Sequence, residues 1–151
     1  MDRDTEVSTL QTLTTTLIDS INGYEEAAKE SDNPRFQQIF RERASERRQV
    51  LDDLRSEIRR LGGEPPDDGS IMGKTHQTWL DLKAAVTGRD DKNIINTVES
   101  GEDYLKEKFE TALDSGGLTG ESRQVVERVY QSVRSGHDQM SQLKHGMEAQ
   151  S

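Results

Sequence analysis

Arg47 and Glu102 are the residues of this 151-residue chain that most need a chemical explanation. Each is the one charged member of an otherwise apolar helical seam. Arg47 interrupts Phe40, Ala44, Leu51, Leu54, Ile58 and Leu61, and Glu102 interrupts Ile95, Val98, Leu105, Phe109 and Ala112. A lone carboxylate or guanidinium held away from water is costly. Pairing offsets much of that cost, and arginine's planar fork can grip both carboxylate oxygens at once. The expectation is a buried polar pair, Arg47 with Glu102, with Thr14 and Tyr24 supplying further hydrogen bonds.

Acid and imidazole groups on helices also suggest metal chemistry. Di-metal bundles take one Glu from each of two helices and a Glu-x-x-His from each of the other two, because residues three apart on a helix reach the same metal pair. This chain has no Glu-x-x-His: Gln49 stands three after Glu46, and Arg134 stands three before His137. Glu46 and Glu99 lie off the seams, and only Glu102 lies on one. That is too few ligands for two ions. No cofactor is therefore expected, and iron or another divalent metal on Glu99, Glu102, His137 and Glu46 is the alternative. His137 stands beside the seam next to Gly136, where a missing side chain leaves room for a neighbour.

Other chemistries are harder to place. The chain has no cysteine, so thiol nucleophiles, disulfides and thiolate metal sites are out of reach. No Ser or Thr sits in a glycine-framed elbow, and no glycine-rich loop resembles a phosphate cradle. The formal charge of −9 speaks against nucleic acid, since the basic residues between positions 41 and 60 alternate with acids. Nothing approaches the apolar length of a membrane span, and no leader-like run opens the chain. These readings point to a cytoplasmic, non-enzymatic protein with no membrane or nucleic-acid partner, acting as a homodimer or with a protein partner.

The residues must be positioned by helices, because apolar residues recur three and four apart throughout. Long helices are expected over 5–29, 34–61, 91–115 and 119–147, with a shorter one over 71–87. Asn33-Pro34 supplies a cap and a first-turn proline, and Gly62-Gly63 and Gly116-Gly117 supply stops. A helix of ~17 residues spans about 26 Å, enough with its loops to carry the chain back up the bundle. The third long helix then starts beside the first turn and runs parallel to the second. Arg47 and Glu102 come within about 3 Å in height on these parallel helices. His76 and Trp79, on the apolar face of the short helix, are expected to pack it onto the bundle.

Several short stretches carry a resemblance. Gly23-Tyr24, Glu46-Arg47, Leu61-Gly62-Gly63, Gly73-x-x-His76-x-x-Trp79, Leu82-Lys83, Gly101-Glu102-Asp103 and His137-Asp138 together resemble a family of uncharacterised bacterial four-helix-bundle proteins. That family is a domain of unknown function grouped with the ferritin-like superfamily, and the likeness runs from about residue 9 to residue 143. It implies a single all-α domain over 1–151: a ferritin-like up-down four-helix bundle with a crossover helix between the second and third long helices. It implies no established activity; an association of some ferritin-like relatives with stress responses is its one functional hint. Expected functions are thus a helical module acting by association, a degenerate ferritin-like metal protein or oxidase, or a small-ligand binder using the polar core around Arg47 and Glu102.

Overall fold

The computed structural model describes residues 3–66 and 91–150. Four helices make up the described chain: α1, Arg3–Glu30; α2, Pro34–Arg60; α3, Asp91–Asp114; and α4, Gly120–Gln150. No strand occurs among the described residues. The bounds fall within three residues of those expected from the sequence, the usual scatter at frayed helix ends. The expected short helix over 71–87, with His76 and Trp79, lies outside the described residues.

The stops work as their chemistry requires. Asn33 Oδ1 accepts from Arg35 N at 2.9 Å, and Pro34 opens α2, where a missing N–H costs nothing. At the other end Gly62 takes φ +87°, and the Gly62 and Gly63 amides donate to the carbonyls of Arg59 and Ile58, both at 2.9 Å. These bonds satisfy carbonyls that the end of a helix otherwise leaves open. Gly63 also lies so close to α1 that an added Cβ would stand 2.6 Å from Val7.

Each helix packs on two neighbours: α1 on α2 and α3, and α4 on α2 and α3. Specific bonds fix the directions. Ser31 Oγ, just past the end of α1, donates to Asp91 Oδ1 at the start of α3 (2.9 Å). Ser122 Oγ, at the start of α4, donates to Glu57 near the end of α2 (2.6 Å). Arg43 Nε, early in α2, donates to Gln139 Oε1, late in α4 (2.8 Å). Every neighbouring pair is thus antiparallel, and α2 and α3 are parallel across the diagonal of a square bundle. The chain leaves α2 at one end of the bundle and enters α3 at the other.

The core is one continuous cluster. It includes Leu10, Leu17 and Tyr24 of α1, Phe40, Leu54 and Ile58 of α2, Val98, Leu105 and Phe109 of α3, and Val126, Val129, Val133 and Met140 of α4. A narrow apolar stripe suffices for α2, α3 and α4. Helix α1 buries more of its circumference, adding Leu13, Thr16, Ile18, Asp19 and Ser20 to the seam.

Candidate functional site

At the middle of this core the charged pair closes across the diagonal. Arg47, about two turns after Phe40 on α2, is forced inward by the same periodicity that buries Ala44 and Leu51. Glu102 on α3 is held inward by Val98 and Leu105. Both side chains are 0% exposed. Arg47 Nη1 donates to Glu102 Oε1 at 2.8 Å and Nη2 to Oε2 at 2.5 Å, the parallel two-bond geometry of a guanidinium on a carboxylate.

The surroundings complete the clamp. Arg47 Nη1 also donates to Ser20 Oγ at 3.0 Å, and Ser20 passes its own proton to the Leu17 carbonyl at 2.7 Å. The guanidinium carbon lies 5.4 Å from the centre of the Tyr24 ring, a cation–π contact. Arg47 Nε has no hydrogen-bond partner. Gly136 of α4 presses on the pair from the far side. A Cβ there would meet Nη2 of Arg47 at 2.4 Å and Oε2 of Glu102 at 2.8 Å. No larger residue fits without displacing the pair.

The electrostatics follow from burial and neighbours. Burial works against the Arg47 charge, but the adjacent Glu102 carboxylate outweighs it and raises the guanidinium pKa further above its ordinary value. Burial, reinforced by the negative charge of Glu102, pushes the Tyr24 phenol well above its ordinary 10, so it stays protonated. The centre of the bundle holds an internally neutralised ion pair, with a cation already seated on the Glu102 carboxylate.

The remaining candidates are dispersed. Glu46 accepts from Arg43 Nη1 at 3.0 Å and from Ser132 Oγ at 2.5 Å. Glu99 faces Lys144 Nζ at 3.4 Å. His137 turns away from the core, with Nε2 2.5 Å from Asp103 Oδ1 and Nδ1 3.2 Å from Asp138 Oδ1. Burial lowers the His137 pKa, and hydrogen bonding to Asp138 and Asp103 outweighs that, for a net rise. The structure therefore joins Arg47 with Glu102 and leaves Glu46, Glu99 and His137 in three separate networks. Among the described residues no group of three His, Cys, Asp or Glu side chains converges on one point. This donor set does not fit a di-metal centre: Glu102 has both oxygens held by Arg47, and each outlying acid is engaged elsewhere.

Two details depart from the expectation. Thr14 does not reach the pair; its Oγ1 donates to the Leu10 carbonyl of its own helix at 2.7 Å, the common fate of a buried helical threonine. The hydroxyl that does reach Arg47 is Ser20, one turn before Tyr24 on the same face. That spacing was the available signal, but serine is too common on helix surfaces to single out from it. Gly136 is the other functional neighbour, and its place on an apolar seam did mark a gap to be filled.

Comparison with known proteins agrees with this picture of a helical domain without assigned chemistry. The chain belongs to the family described as Domain of unknown function (DUF2383), whose model matches residues 5–115. The match takes in α1, α2 and α3, and with them Ser20, Tyr24, Arg47 and Glu102. It ends before α4, so Gly136 and His137 lie beyond it, short of the residue 143 to which the resemblance was expected to run. No curated protein matches the chain.

Proposed function

We propose that this protein is a non-enzymatic, ferritin-like helical bundle that works through association, with itself or with a protein partner. The observation that carries the reading is the closed centre. A ferritin-like oxidase concentrates inward-facing carboxylates and histidines at mid-bundle. Here the central Glu102 carboxylate is held at both oxygens by Arg47⁺, which stands in the electrostatic place of the metal cations. The parallel diagonal arrangement of α2 and α3, entered from opposite ends of the bundle, supports the one-crossover topology of that superfamily. Gly136 packed against the pair speaks against a ligand pocket around Arg47 and Glu102. What remains for interaction is the outer surface. A cytoplasmic role in stress physiology is compatible with such a module.

The test has two arms. Protein purified without chelators is analysed for metal and then titrated anaerobically with Fe²⁺; substoichiometric iron is expected. Stoichiometric iron that disappears in Glu102→Ala would overturn the non-enzymatic reading in favour of a degenerate metal protein. In parallel, light scattering across a concentration series should show a dimer. A chain that stays monomeric at the highest attainable concentration would rule out self-association and leave the protein-partner form.

A further inference from the structure

Away from the central pair, an open groove of about 490 Å³ runs between the first half of α1 and the second half of α3. Its lining includes Thr5, Ser8 and Thr12 on one side and Tyr104, Lys108 and Thr111 on the other, over a floor of Leu13 and Ala112. The volume falls in the range of small-molecule sites, which occur between the helices of bundles and combine apolar walls with a few placed polar groups.

The threonines make this groove less polar than its composition suggests. Thr9 Oγ1 donates to the Thr5 carbonyl at 3.0 Å, and Thr12 Oγ1 donates to the Ser8 carbonyl at 3.1 Å. Their protons are spent on their own helix, as Ser115 spends its proton on the Ala112 carbonyl at 2.8 Å. The surface offered to an occupant is mostly carbon.

One cation is placed beside it. Lys108 Nζ lies 5.3 Å from the centre of the Tyr104 ring, a contact that holds a flexible side chain along the groove wall. Neighbouring lysines are neutralised: Lys106 pairs with Glu110 at 3.0 Å and Lys144 with Glu99 at 3.4 Å. Among the described residues Lys108 has no carboxylate within ion-pair distance. Glu107, next to it on the rim, is exposed, where water and salt weaken its repulsion of an anion.

We infer that the α1–α3 groove binds a small amphiphile with an apolar body and a single anionic end, the body lying on Leu13 and Ala112 and the anion on Lys108. This site is separate from the Arg47–Glu102 centre.

The test is a fluorescence titration of the full, folded chain with 8-anilinonaphthalene-1-sulfonate, with dodecanoate as competitor and neutral N-phenyl-1-naphthylamine as a charge control. Saturable binding of one probe per chain, displaced by dodecanoate, is the expected result. Thr12→Trp changes an exposed residue and fills the groove, and it should weaken both probes at least tenfold. Lys108→Gln leaves the groove open and should weaken the sulfonate about fivefold while leaving the neutral probe within twofold. Absence of saturable binding, or binding unchanged in a folded Thr12→Trp, would overturn the site. Equal weakening of both probes in Lys108→Gln would overturn recognition of the anionic end.

Discussion

Removing one half of the central ion pair should be among the most damaging single changes in this protein, and removing both halves should largely repair it. In Glu102→Leu the Arg47 guanidinium keeps Ser20 and the Tyr24 ring but loses two charge-assisted bonds of 2.8 and 2.5 Å at a site with no exposure to water. Stranding a buried charge in this way costs about 3–5 kcal/mol. For a chain of this size that corresponds to a fall in Tm of about 6–20 °C. Arg47→Met should cost about as much at neutral pH, with one chemical difference. The orphaned carboxyl can take up a proton, whereas the orphaned guanidinium cannot give one up. The deficit of Arg47→Met should therefore shrink as pH falls toward 5, and that of Glu102→Leu should not. The double variant replaces the pair by apolar volume and should come within about 2 kcal/mol of the parent, or exceed it. Urea unfolding followed by circular dichroism at pH 7 and pH 5 measures all four corners of the cycle. The expected coupling is at least about 3 kcal/mol. Single variants that each cost less than about 1 kcal/mol, with no coupling, would refute the reasoning, because such values belong to exposed pairs.

Three further outcomes are expected. Gly136→Ala should destabilise by about 1–3 kcal/mol through overpacking against the pair, although alanine is the better helix former; Gly146→Ala, where an added Cβ meets nothing, should be neutral or stabilising in the same unfolding assay. The His137–Asp103 tie joins α4 to α3, and its raised imidazole pKa sets the sign: its stabilisation is complete below the ordinary 6.5 and is lost as pH rises through the raised folded value. Stability measured between pH 5 and 9 should show that slope in the parent and a smaller one in Asp103→Asn. Glu57 is held below the ordinary carboxylate range, first by its hydrogen bonds from Arg60, against burial, and then by Ser122. Its contribution should be present above pH 4.5 and fade as pH falls through the lowered value, and Ser122→Ala should cost about 1–2 kcal/mol at pH 7 by urea unfolding.

Much of this architecture can be read from residue order because the helix stops are chemically unambiguous. Asn33-Pro34 and Gly62-Gly63 fix both ends of α2, and the period of Phe40, Ala44, Leu51, Leu54 and Ile58 fixes its inward face, with Arg47 on it. Helix α1 was less readable. A narrow stripe through Leu10, Thr14, Leu17 and Ile21 leaves out Leu13 and Ile18, which are also buried, because periodicity alone does not reveal a helix that is covered on more than one side. That wider burial is also why Ser20 escaped notice as a partner of Arg47. Gly136 marked a gap, but what fills it depends on three helices meeting at one level, which no local pattern encodes. The dispersal of Glu46, Glu99 and His137 is tertiary in the same sense, since each finds its partner on another helix.

The diagonal position of the ion pair has one more consequence. One hairpin, α1 with α2, carries the guanidinium, and the other, α3 with α4, carries the carboxylate. Sliding one hairpin past the other by a single helical turn, about 5.4 Å, would separate the two groups and leave both charges in the dark. Apolar seams alone tolerate such slips, because one leucine serves nearly as well as the next. The pair therefore acts as a lock and key between the two halves of the molecule. A hairpin borrowed from a relative would dock in register only if it brought the complementary charge at the same height, together with the bare glycine that makes room for it.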